Sequence, residues 1–184
     1  MSSQNTSHSP TSKIRKRFFY LVVFLLLACS LVLRLALALN REIDIDEFQH
    51  LHAAWMVSQH YLIYKDFWEN HTPLFYYLLL PLFRLCREGP GLVIVARIIM
   101  SIASLGILWM TYLLARIRYK QETALLAVLI LSWMVIFAQK SIEVRPDQLL
   151  ITLWLASLWI SIAARELLPF TARIVRATRS TETP

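Results

Sequence analysis

Residues 74–85 read Leu74-Phe75-Tyr76-Tyr77-Leu78-Leu79-Leu80-Pro81-Leu82-Phe83-Arg84-Leu85, and the topology of the chain turns on whether this run crosses a membrane. A helix of about a dozen residues rises about 18 Å, well short of a hydrocarbon core of roughly 30 Å. Pro81 interrupts it and Arg84 closes it. The run therefore predicts an interfacial or re-entrant helix over 74–86. Charge supports this choice. The long apolar run that follows, over 92–115, ends in Arg116-Ile117-Arg118-Tyr119-Lys120. If 74–85 spanned, that basic loop would lie outside; if it lies on the surface, the loop is cytoplasmic, as the positive-inside rule prefers.

Working outward, four spans are expected, over 18–39, 92–115, 123–139 and 148–164. Lys13, Arg15, Lys16 and Arg17 precede the first, and Arg165, Arg173, Arg176 and Arg179 follow the last. Every basic cluster then falls on one side, with both termini cytoplasmic and residues 40–91 forming one external loop. Residues 1–12 are polar and aperiodic and predict a disordered tail; 166–184 predict a basic cytoplasmic tail, and 13–165 the membrane module between them. The single charge noted within the first run, Arg34, is expected to snorkel to the interface.

Composition agrees. Of 184 residues, 57% are hydrophobic and 17% charged, which excludes an ordinary soluble domain. The net charge of +7 raises nucleic acid as a partner, but the basic residues flank apolar runs instead of forming a patch. Cys29 and Cys86 give no disulfide framework; Cys29 is expected to be a small buried hydrophobe. Leu26-Leu27-Ala28-Cys29 resembles a lipoprotein cleavage box, yet the apolar run continues well past it, which favours an uncleaved helix. The fold class expected is all-α, a polytopic protein of an inner or plasma membrane.

Within this topology the acidic residues Glu42, Asp44, Asp46, Glu47, Asp66, Glu69, Glu88, Glu143 and Asp147 all lie outside, which orientation rules do not require. Residues 46–60 predict a second interfacial helix, capped by Asp44 or Asp46, with Phe48, Leu51, Trp55 and Met56 at helical spacing. Asp46 and His50 share a face at i,i+4, while His50 and His52 point apart. A metal set of Asp46, His50 and His71 follows no recognised ligand spacing, so no metal site is assigned. Tyr61, Tyr64, Phe67, Trp68, Phe75, Tyr76 and Tyr77 suit a headgroup belt. Asn70-His71-Thr72 fits a glycosylation sequon, with Pro73 directly after it. Arg145-Pro146-Asp147 makes a good helix start, in which Arg145 can also hold a phosphate.

Three elements in order carry a resemblance: the Asp46-Glu47 pair after the first span, Glu69 in an aromatic-x-Glu-x-x-x-Pro-like segment, and the later Arg145-Pro146-Asp147. Together they resemble the GT-C glycosyltransferases, most closely the family-39 branch of protein O-mannosyltransferases and lipid A aminoarabinose transferases. The resemblance implies a polyisoprenyl-phosphate sugar as donor and membrane lipid as partner, with no further cofactor. It implies Asp46 as general base, with Glu47 its neighbour and Glu69 a second acidic residue orienting acceptor or base. Asp44, His50, Asn70, His71, Arg145 and Asp147 then bind substrate, Arg145 neutralising the phosphate. Two departures stand out. Asn70 occupies a position where the family has a basic residue, for which His71 or Lys65 can substitute. The chain is also shorter than family enzymes and is expected to represent a truncated N-terminal module, to which other membrane subunits contribute helices. The alternative expectation is a non-catalytic remnant or accessory subunit that binds polyprenyl phosphate. A small transporter is disfavoured, because Arg34 is the one ionisable residue noted within a span.

Overall fold

The structure, a computed structural model, describes residues 10–181, with side chains placed over 13–165. Among the described residues seven helices follow in order: α1 (Pro10–Asn40), α2 (Ile45–Ser58), α3 (Leu74–Leu85), α4 (Pro90–Arg118), α5 (Gln121–Trp133), α6 (Val135–Lys140) and α7 (Asp147–Thr181). Among the described residues there is no strand beyond one isolated bridge, Ile63 with Phe67. The chain is an all-α polytopic membrane protein. Among the described residues, three helices are long and apolar enough to cross a bilayer: α1, α4 and the first part of α7.

The expected tail over 1–12 lies outside the described residues up to Ser9, and residues 10–12 already belong to α1. At the other end the helix of the last span runs on to Thr181, through most of the segment read as a separate tail; its side chains beyond Arg165 lie outside the described residues.

The run over 123–139 is not one helix. It breaks at Met134, whose backbone is extended (φ −64°, ψ 124°), into α5 and α6. Neither Pro nor Gly marks the break, so the sequence carries no local signal for it. Its stabilisation comes from α1. The Ser132 carbonyl accepts from Arg34 Nη2 at 2.9 Å and from Ser30 Oγ at 3.0 Å. Arg34 also reaches Ser104 Oγ at 3.4 Å and lies 4.7 Å above the Phe137 ring. Arg34 is therefore not a snorkelling residue. It is 1% exposed and ties α1 to the broken helix. Cys29, expected to be buried, is exposed on the protein surface.

Helix α4 is the centre of the bundle and packs on α1, α5 and α7. Its crossing with α7 is close at Gly106, where an added Cβ would sit 3.2 Å from Thr152 Cγ2. Small residues at such crossings let backbones approach where lipid supplies no hydrophobic drive. The outward sides of α1 and α7 are apolar and exposed, at Phe18, Phe24 and Val32 and at Leu158, Ile160 and Trp154.

At one end of the bundle, α2 and α3 fold over the start of α4. Leu51, Ala54, Tyr76, Leu79, Leu92 and Ala96 form the middle of a continuous apolar cluster. Of the expected aromatic belt, Tyr61, Tyr64, Trp68 and Tyr77 are exposed, whereas Phe75 and Tyr76 belong to this core.

Candidate functional site

Helix α2 starts with a capping box. Asp44 Oδ1 accepts from the Asp46 N–H at 2.9 Å, and Glu47 Oε2 accepts from the Asp44 N–H at 3.2 Å. The cap is thus Asp44, which frees the Asp46 side chain to point away from the backbone. The bond from the Asp46 N–H holds the Asp44 carboxyl below its usual range, more than its slight burial raises it, with Lys140, Arg41 and Arg145 adding in the same direction.

The neighbouring carboxylates part company. Glu47 is wholly buried and receives a two-pronged contact from Arg97, Nε to Oε1 at 2.9 Å and Nη2 to Oε2 at 2.6 Å. The Val144 N–H also donates to Oε1 at 3.2 Å. Burial pushes the Glu47 carboxyl up, but the bonds from Arg97, the Asp44 N–H and the Val144 N–H outweigh it, and the net shift is downward. Glu47, expected beside Asp46 as a catalytic carboxylate, does not reach the surface. Its oxygens are spent on holding α2, α4 and the segment before α7 together. Arg97 completes that junction by donating to the carbonyls of Ala38, Arg41 and Glu42 at the end of α1.

Asp46 is half exposed and faces the start of α7. Its Oδ2 accepts from Arg145 Nη1 at 2.7 Å, while Arg145 Nε donates to Asp147 Oδ2 at 3.0 Å. Burial alone would lower the Arg145 pKa; its bonds with Asp147, then Asp46 and Glu143, raise it. Beneath them Glu143 is 1% exposed at its side chain and is ringed by Arg41 at 2.7 Å, Lys140 at 2.7 Å and Arg145 at 3.6 Å. Three cations on one buried carboxylate set the height of the Arg145 guanidinium at the surface.

Glu69, His50 and His71 form a second group. Glu69 Oε1 accepts from the Asn70 and His71 N–H groups at 2.9 and 3.3 Å and from Gln49 Nε2 at 3.4 Å, and lies 3.0 Å from His71 Nδ1. Burial raises the Glu69 carboxyl, but the contacts with His71, Tyr76 and Gln49 bring it below its usual value. His50 is buried, with Nδ1 3.1 Å from the Tyr76 hydroxyl. Burial, then His71, lowers its pKa below the usual imidazole value. Burial and Glu69 together push the Tyr76 hydroxyl well up.

Between the groups lies a cavity of about 320 Å³. Asn70, His71 and Thr72 line its polar side with Asp147, and Leu150 and Leu153 of α7 carry it down the apolar face. A larger, almost wholly apolar cavity of about 620 Å³ lies between α1, α4 and α5 and shares none of these residues.

Arg97, Arg41 and Lys140 have no place in the sequence reading of the site, and Glu143 and Tyr76 enter it only as members of the external acidic set and the aromatic belt. Arg97 carried a usable signal, since it is a lone charge in the apolar stretch Leu92-Val93-Ile94-Val95-Ala96-Arg97-Ile98-Ile99, and a charge there is a functional or structural marker. Arg41 and Lys140 are unremarkable in sequence.

Residues 70–167 match the model of the dolichyl-phosphate-mannose-protein mannosyltransferase family, a stretch that includes Asn70, His71, Arg145 and Asp147 and begins after Asp46 and Glu47. Neither the curated proteins nor the solved structures provide a match.

Proposed function

This chain belongs to the dolichyl-phosphate-mannose-protein mannosyltransferase family, and on that premise we propose that it transfers a sugar from a polyisoprenyl-phosphate donor to an acceptor hydroxyl at the outer face of the membrane. The observation that carries this reading is the chain of contacts Asp46–Arg145–Asp147, which ends at Asp147 on the wall of a cavity lined by Asn70, His71 and Thr72 and by the apolar Leu150 and Leu153.

In the proposed reaction Asp46 takes the proton of the acceptor hydroxyl as its oxygen attacks the anomeric carbon. The bond from that carbon to the phosphate oxygen breaks, its electron pair leaving with the polyisoprenyl phosphate, and configuration inverts. Arg145 exchanges its contact with Asp46 for the donor phosphate, which frees the base and neutralises the leaving group in one movement. Asp147 and the buried Glu143 keep the guanidinium in place during the exchange. The donor chain lies along Leu150 and Leu153. Glu47 is a positioning residue in this scheme, acting through the backbone that presents Asp46.

The test is transfer from a labelled polyprenyl-phosphate sugar in membranes containing the wild-type chain or Asp46→Asn. The variant is expected to lose transfer while keeping its expression level. Equal activity in the two would remove Asp46 from the mechanism. Donor binding without transfer in the wild type would support the accessory, non-catalytic reading.

A further inference from the structure

We propose that His50, Glu69 and His71 form a binding site for a divalent ion of the zinc class, tying the loop before α3 to helix α2. The sequence reading assigned no metal and weighed a different set, with Asp46 in the place that Glu69 takes here. Folding changes the partners. One ligand atom from each of the three residues lies within 4.8 Å of the others. Two imidazoles and one carboxylate are a donor set that zinc accepts, with a fourth position left for water or another ligand.

Three observations support the set beyond proximity. First, the separation is right in scale. His71 Nδ1 and Glu69 Oε1 are 3.0 Å apart, and two ligands of a tetrahedral ion with bonds of about 2.0–2.1 Å lie about 3.3 Å apart. The pair therefore needs to open by only a few tenths of an ångström. Second, two of the three residues are held before any ion arrives, since His50 is 2% and Glu69 4% exposed. Third, outer partners are in place. The Tyr76 hydroxyl sits 3.1 Å from His50 Nδ1, and Gln49 Nε2 3.4 Å from Glu69 Oε1. Ligating histidines typically carry such a partner on one ring nitrogen, which fixes the tautomer and leaves the other nitrogen free to bind.

The location gives the ion a task. His50 is on α2, whereas Glu69 and His71 belong to the segment between α2 and α3, which is short of regular structure. His71 also lines the cavity beside Asp147. An ion at this point fixes the polar wall of the cavity relative to α2, the helix that carries Asp46. The ion can be counted whether or not transfer occurs, so the test measures binding and not activity.

The full chain, purified in detergent without a polyhistidine tag and stripped with a chelator, is titrated with zinc, and bound metal is counted after desalting. Cobalt in place of zinc reports geometry through its visible absorption. One ion per chain with a four-coordinate cobalt spectrum is expected. His71→Ala, at a partly exposed position where folding is safe, is expected to weaken binding by at least about 100-fold, and Tyr76→Phe by about 10-fold. His52→Ala and His60→Ala, at exposed histidines outside the set, are expected to leave it unchanged. Less than one ion bound at micromolar zinc, or wild-type affinity in His71→Ala, would overturn the site. So would loss of binding in the His52 or His60 variant.

Discussion

Glu47 and Arg97 stand 50 residues apart in sequence and meet as a two-pronged ion pair, both side chains all but closed to solvent. The pair is the junction of three elements, because Arg97 also caps the end of α1 and Glu47 also receives the Val144 N–H before α7. Removing one member leaves a buried charge without its partner, which typically costs about 3–5 kcal/mol. Arg97→Met is therefore expected to lower the unfolding midpoint in detergent sharply. A Glu47→Leu, Arg97→Met double variant is expected to recover only part of the loss, since the Asp44 and Val144 N–H groups remain unpaired. Full recovery would show that the ion pair, and not the capping network, sets the stability of this end.

The same carboxylate fixes an acid limit. Glu47 has a folded pKa below its ordinary value of 4.5. Its contribution is therefore fully present above about pH 4.5 and is lost as pH falls through the lower folded value, because the unfolded chain takes up the proton first. Unfolding midpoints measured from pH 7 down to pH 3 are expected to fall at the acid end, and to fall less steeply in Glu47→Gln. Parallel curves for the two proteins would remove Glu47 as the cause.

Arg145 is a different kind of charge. It joins Asp46 and Asp147 near the surface, where exposed pairs contribute about 0–1 kcal/mol. Arg145→Gln is expected to change stability little and to reduce sugar transfer by about 100- to 1,000-fold, the scale of losing one transition-state charge contact. Arg145→Lys keeps the charge and loses the fork, so an intermediate rate is expected. A large loss of stability with normal residual turnover would place Arg145 in the scaffold instead.

How much of this was legible follows from what each signal depends on. The long apolar runs announce α1, α4 and α7 because span length is a local property. The break at Met134 was not legible, since its support is the Arg34 guanidinium some hundred residues earlier in the chain. Around the site, the helix start at Arg145-Pro146-Asp147 and the Asp44 cap of α2 could be read from the sequence. The division of labour between Asp46 and Glu47 could not, because adjacent residues on a helix point apart and only the position of Arg97 decides which one is buried. Glu69 and His71 are neighbours in sequence, but His50 joins them only through the fold.

Gly106 offers a test of the bundle away from the site. An added Cβ meets Thr152 Cγ2 at 3.2 Å, so Gly106→Ala requires Thr152 to give way by a few tenths of an ångström. Gly106→Leu cannot be accommodated and is expected to cost about 1–3 kcal/mol by overpacking the α4–α7 seam. Combining Gly106→Ala with Thr152→Ala is expected to show a coupling of at least about 0.5 kcal/mol in a double-mutant cycle, as for residues in direct contact. Additive effects would mean that the two helices do not meet here.

The orientation in the membrane can be tested from the charge distribution. Lys16 lies 3.7 Å from Glu122, and Tyr20 donates to the same carboxylate at 3.3 Å, so the start of α1 and the turn between α4 and α5 occupy one end of the bundle. That end gathers Lys13, Arg15, Lys16, Arg17, Arg116, Arg118 and Lys120. The opposite end holds Asp44, Asp46, Asp147 and the buried Glu143. The positive-inside rule then predicts that the site faces outward. In a chain with Cys29 and Cys86 replaced by alanine, Asn70→Cys is expected to react with an impermeant maleimide in intact cells. Arg118→Cys is expected to react only after permeabilisation. Both positions are exposed on the protein surface, so burial does not confound the result. Labelling of position 118 from outside would invert the topology and, with it, the side of the membrane on which a donor sugar meets Asp46.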